Sequence, residues 1–247
     1  MAAYALRPMS TGEILDGALT LLRRHFGLLC GLAIVCQGLP TVLDVYLELA
    51  GGTAEHPGLS LLDRLLTWFG SLLVSGGTVW VVSETYLGRV PRLRDALGFA
   101  GDHVGDVFGA GLASGLVTLL ATLALVIPGI VVYCGYSVVT QVAVLEPRGS
   151  SGALGRSWDL TKGFKWKALG LWAVSLALLI VLFVGTTVIG AVAQQVQAIQ
   201  VGSVVLSSAA QLLFYPLIGC VFTLFYYDLR IRKEGFDLDV LSQSLSS

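Results

Sequence analysis

The chain has 247 residues, 55% of them apolar and 13% charged, with 15 basic side chains against 16 acidic ones for a net charge of −1. A soluble domain carries about 25% charged residues, so half of the expected surface charge is missing. Together with a mean hydropathy of +0.81, this excludes both a disordered chain and a wettable globule, and leaves an all-α polytopic membrane protein.

A helix needs about 20 apolar residues to cross a bilayer core. Six runs approach that length, at 26–43, 65–83, 107–127, 130–145, 168–192 and 201–227. They make one membrane domain over 1–235, with a tail at 236–247. The third and fourth runs meet at Val126-Ile127-Pro128-Gly129-Ile130 without a polar loop. One helix over both would be about 58 Å long, too long for a bilayer core. A tight hairpin turning at Pro128-Gly129 is therefore expected.

The basic residues set the orientation. With both termini inside, 14 of the 15 face inward and only Arg64 faces out, beside the outer-loop acids Asp44, Glu48, Glu55 and Asp63. No cleavable signal is expected, because the first apolar run begins only at Phe26. The expected location is the bacterial inner membrane, multi-pass, with cytoplasmic N- and C-termini.

A short amphipathic helix is expected before each of three hairpins, on the cytoplasmic side. Ser10-Thr11-Gly12-Glu13 reads as a capping box, followed by an apolar face of Ile14, Leu15, Ala18, Leu21 and Leu22. Pro91 suits the first turn of the second, and Ala153, Leu154 and Trp158 form the apolar side of the third. Gly101, Gly105 and Gly109 fall on one stripe, with Gly111 and Gly115 on another, and internal helix packing is their expected role.

Sites for chemistry are scarce. His25, His56 and His103 fall at interfaces or in loops, no cluster has metal-ligand spacing, and no cofactor or metal is expected. Cys30, Cys36, Cys134 and Cys220 read as buried free thiols. Tyr227-Asp228 and Gly105-Asp106 resemble the intramembrane aspartyl-protease pair, but His103 stands where that motif needs glycine. Asp44, Glu84 and Glu146 lie at span ends, with Glu84 expected to meet Arg89 or Arg92, and Glu146 to meet Arg148 or Arg156.

The remaining core polarity is uncharged: Gln37 near Pro40, and Gln211 and Tyr215 beside Pro216. Each proline frees a carbonyl, that of Cys36 or Leu212. Two readings stay open. The three side chains form a seam that binds a headgroup, or the glutamines bond across helices and to the freed carbonyls. At the inner rim, Arg23, Arg24, Arg92, Arg94, Arg156, Lys162, Lys165, Lys167, Arg230, Arg232 and Lys233 mix with aromatic residues and suit anionic lipid headgroups. No basic face suits nucleic acid.

Three stretches carry a family resemblance. They are Arg7-Pro8-Met9-Ser10-Thr11-Gly12-Glu13-Ile14-Leu15-Asp16; Pro128-Gly129-Ile130 leading to Leu145-Glu146 and Arg156-Ser157-Trp158-Asp159-Leu160-Thr161-Lys162-Gly163; and Tyr226-Tyr227-Asp228-Leu229-Arg230 through Leu238. The chain resembles the bacterial family of the membrane domain of glycerophosphoryl diester phosphodiesterase and related inner-membrane proteins. That resemblance implies six spans and an inward tail. It implies no phosphodiesterase activity, because the enzyme's histidine-and-carboxylate set does not appear. The leading expectation is a non-catalytic accessory or scaffold subunit packed against another integral membrane protein. The alternative is a small permease or lipid-handling protein that uses the Gln37/Gln211 seam.

Overall fold

The computed structural model describes residues 7–49, 56–146, 149–193 and 197–235. Its helices are α1 (Thr11–Arg24), α2 (Phe26–Leu49), α3 (Pro57–Tyr86), α4 (Leu93–Asp102), α5 (Val104–Ala124), α6 (Val126–Gly135), α7 (Val139–Leu145), α8 (Gly149–Thr161), α9 (Lys165–Ala193) and α10 (Gln197–Glu234). Among the described residues there is no strand. Among the described residues, six segments are long and apolar enough to cross a membrane: Phe26–Leu47, Pro57–Tyr86, Val104–Ala124, Val126–Leu145, Lys165–Gly185 and Leu212–Glu234. The tail at 236–247 lies outside the described residues.

The order is a short amphipathic helix and then a hairpin of two spans, three times: α1 before α2/α3, α4 before α5/α6–α7, and α8 before α9/α10. The capping box is present in full, since Glu13 N–H donates to Ser10 Oγ and Ser10 N–H donates to the Glu13 carboxylate. The first helix buries Ile14, Ala18 and Leu21, and the second buries Ala96 and Ala100. Pro91 stands just ahead of α4, before the N-cap residue Arg92, rather than in its first turn.

The hairpin between the third and fourth spans forms, but its pivot is Leu125, in extended backbone at φ −161 and ψ 140, and not Pro128-Gly129. Pro128 instead occupies the first turn of α6, where backbone N–H groups lack intrahelical partners and a missing one costs little. Gly129 then lets α6 fold back onto α5: a Cβ there would lie 2.7 Å from Thr122 Cα. The fourth span is also not one helix. It breaks at Tyr136–Val138, and that break is filled from outside the span. The Gly135 carbonyl accepts hydroxyl hydrogen bonds from Ser157 and Thr161 of α8, both at 3.0 Å. A Cβ on Gly135 would lie 2.4 Å from the Trp158 ring, so only glycine lets α8 dock there.

The core is built around the second half of α10, where Leu224, Phe225, Tyr226 and Leu229 are fully buried against α1, α2, α3 and α8. Leaving lipid gives an apolar side chain little hydrophobic gain, so close packing and internal hydrogen bonds must hold this bundle together. Away from that end the helices present apolar faces outward, as at Val42, Leu123, Ile127, Val181 and Phe183.

Candidate functional site

Two polar regions stand at opposite ends of the spans. At the basic end, Asp228 of α10 is fully buried and accepts from Met9 N–H at 2.7 Å, Lys167 Nζ at 2.6 Å and Arg232 Nε at 3.0 Å. Lys167 and Arg232 also donate to the Met9 carbonyl, so the strand of chain ahead of α1 is clamped to α9 and α10. Beside it, Glu146 accepts from Arg156 Nε at 2.9 Å and from the Tyr226 hydroxyl at 3.1 Å. Arg156 continues to Glu234, which also takes Arg230 at 2.9 Å, and Lys233 donates to the Asp159 carbonyl. Tyr227 donates to Ser83 at 2.8 Å and stacks on Tyr86.

Most of these residues come from the sequence motifs, and each charged side chain named in this cluster meets a partner. Arg156, Lys167, Arg230, Arg232 and Lys233, expected to meet lipid headgroups, are engaged within the protein. Lys165 sits over the Trp158 ring at 3.3 Å from its centre. Arg23, Arg24, Arg92, Arg94 and Lys162 are exposed, and they are the rim cations turned outward. Glu84 pairs with Arg89 at 3.3 Å, one of its two expected partners. The three donors to Asp228 clamp the segment ahead of α1 to α9 and α10.

The glycines do not form an internal seam. Gly101 closes α4 while Gly105 opens α5, with the break at His103 between them, so the first stripe does not run along one helix. Nothing lies within 4 Å of a Cβ built on Gly101, Gly105, Gly111 or Gly115, and Gly109 is half-buried. Gly111 and Gly115 line instead a groove of about 480 Å³, with Ser114, Thr118, Tyr133 and Trp172.

The opposite end holds the polar seam. Gln37, Thr41 and Asp44 are spaced i, i+4, i+7 and share one face of α2. Asp63 and Thr67 are spaced i, i+4 on α3, and Leu212 and Tyr215 come from α10. With Pro40, these residues line one polar pocket of about 110 Å³. Gln37 is 2% exposed and donates from Nε2 to the Thr67 carbonyl at 3.2 Å. The close approach of α2 and α3 depends on Gly70. A Cβ there would lie 2.5 Å from the Cys36 carbonyl, the group that Pro40 leaves without its helical donor. Gln37 and Tyr215 are thus brought together as the sequence suggests, whereas the side chain of Gln211 lies outside the described residues.

Two further carboxylates belong to this site. The apolar runs at 26–43 and 65–83 place Asp44 and Asp63 in an outer loop. Both belong to helices, because α2 continues to Leu49 and α3 begins at Pro57, with proline in its first turn. The signal was the helical spacing of the polar residues, Gln37-Thr41-Asp44 and Asp63-Thr67. Asp63 is 9% exposed, and among the described residues its Oδ1 is buried without a hydrogen-bond partner.

Tyr215 also lines a second cavity. This one is apolar, about 630 Å³, and is walled by Leu179, Ile180, Leu182 and Phe183 of α9 with Ser207, Ala210 and Phe214 of α10. A small polar pocket and a large apolar one therefore share one side chain. That combination suits a molecule with a polar head and a hydrocarbon tail. Among the described residues no group of three histidine, cysteine or acidic side chains is placed to hold a metal ion. A scan against protein-family models, a search of curated proteins and a search of solved structures each returned no match.

Proposed function

We propose that this six-span protein handles an amphiphile, as a lipid-binding membrane protein or small permease. The observation that carries the reading is Tyr215, which borders both the polar pocket between α2, α3 and α10 and the apolar cavity between α9 and α10. A site with separate polar and apolar compartments recognises head and tail at once, and a few placed polar groups in an apolar surround suffice to orient a ligand. The proposal includes inward-facing termini, since 14 of 15 basic residues then lie on one side. It also includes membership of the inner-membrane family that the chain resembles.

A second reading, the accessory or scaffold subunit, is favoured by the outward-facing Gly101, Gly105, Gly111 and Gly115, against which another helix would pack closely. Native mass spectrometry of the protein, released gently from its own membranes, separates the two. The amphiphile reading expects a single chain carrying one lipid-like molecule. A stoichiometric second protein, with no retained amphiphile, would overturn it in favour of the scaffold.

A further inference from the structure

We infer that the head of the amphiphile is a primary ammonium group, held by Asp63 and Asp44. This rests on the amphiphile reading and names its ligand class. Asp63 is 9% exposed, lines the polar pocket, and has an Oδ1 that is buried without a donor among the described residues. A buried carboxylate oxygen with no donor is costly, so the site is complete only when something supplies one.

The pocket determines what that donor must be. Two carboxylates, Asp44 and Asp63, line a space of about 110 Å³, and among the described residues no basic side chain shares the lining. An incoming cation is favoured and an anion repelled. The other lining polar groups are Gln37, whose Nε2 is turned to the Thr67 carbonyl, and Thr41, Thr67 and Tyr215, and each of the four carries an oxygen that can accept a hydrogen bond. A primary ammonium brings three N–H donors and no acceptor, which matches a surround of acceptors. A quaternary ammonium brings no donor and is recognised by several aromatic faces, whereas among the described residues Tyr215 is the single aromatic side chain in the lining.

Volume agrees with this assignment. Water occupies about 30 Å³ per molecule in the liquid, so the pocket holds roughly three or four waters, or one small ammonium head. The tail then follows Tyr215 into the apolar cavity beside Phe183 and Phe214. Across the boundary the ligand changes from charged to hydrocarbon where the lining changes from acidic to apolar.

The test uses the full chain in neutral maltoside micelles and counts bound ligand by native mass spectrometry. The probes are dodecylammonium, dodecyltrimethylammonium, dodecanol and ethylammonium. The expected result is one-to-one binding of dodecylammonium, at least tenfold tighter than each of the other three. D63N is expected to weaken dodecylammonium at least tenfold while keeping its melting temperature. D44N gives an independent reading of the same pocket should D63N fold poorly. If all three dodecyl probes bind equally and neither variant changes this, the ammonium assignment is wrong while the amphiphile reading stands. If no dodecyl probe binds, that reading fails too. Ethylammonium binding as tightly as dodecylammonium would show a site for a soluble amine and overturn the inferred amphiphile.

Discussion

Asp228 and Asp63 are the same residue type, both buried within membrane-spanning helices, and they are treated in opposite ways. Asp228 has three donors, from Met9, Lys167 and Arg232, within a lattice that ties α1, α9 and α10 together. Asp63 lines a cavity and has a carboxylate oxygen that is buried without a donor among the described residues. A charge in a low-dielectric interior survives only if it is compensated. The protein compensates one from within, and among the described residues it supplies no donor to the other, which the inferred ligand would provide. On the inference above, the difference separates a charge that builds the fold from one that receives a ligand.

The largest effect that tests this comparison is expected at Asp228. Removing one partner from a buried ion pair strands the others, at a cost of about 3–5 kcal/mol. D228A should therefore lower the unfolding free energy by about that much, read by titrating maltoside micelles with dodecyl sulfate. Replacing Asp228, Lys167 and Arg232 together by apolar residues should recover much of the loss, because no unpaired charge then remains in the cluster. A single variant that unfolds with the wild type would remove Asp228 from the list of structural charges.

At Asp63 the sign reverses. A buried polar atom without a partner costs about 1–3 kcal/mol, so D63L should stabilise the unliganded protein by an amount in that range. The same dodecyl sulfate titration measures it, on protein stripped of retained amphiphile. If D63L destabilises the chain as D228A does, Asp63 has a structural partner and the two ends do not differ in kind.

The sequence carries the architecture well and the site only in part. Six apolar runs, the capping box at Ser10 and the hairpin between the third and fourth spans are all legible, since each is set by local chemistry: hydropathy, a helix-start pattern and bilayer thickness. The pivot at Leu125 is not legible, because Pro128 suits a turn and the first turn of a helix equally well, and only the packing of Gly129 against Thr122 decides between them. Gln37 and Tyr215 are visible as polar residues beside prolines. Asp44 and Asp63 escape notice because charged residues at span ends look like loop residues until helix length is known. The glycines mislead for a related reason: spacing shows neither the helix break at His103 between Gly101 and Gly105 nor whether the face of Gly111 and Gly115 looks in or out. The rim cations show the same limit. Composition places Lys167 and Arg156 at an interface, and only the long-range fold brings Asp228 and Glu146 to them.

The smallest expected effect lies at the exposed edge of the basic end, where compensation is local and wet. Glu13 is held down to about 2 by the Ser10 backbone N–H, then by the Ser10 hydroxyl and Arg7. Its folded pKa lies below its unfolded value of about 4.3, so between the two the unfolded chain binds more protons and stability rises with pH. The contribution is whole above that unfolded value and is lost as pH falls toward 2. E13Q removes the titrating group, so its stability should fall less than that of the wild type between pH 5 and pH 2. The difference between the two melting curves isolates Glu13 from the other carboxylates. Because the group is solvated and its partner Arg7 is exposed, that difference should also shrink in high salt. Parallel curves at every pH would show that the capping box adds no charge-dependent stability, leaving only the Ser10 cap, worth about 1 kcal/mol, to start α1.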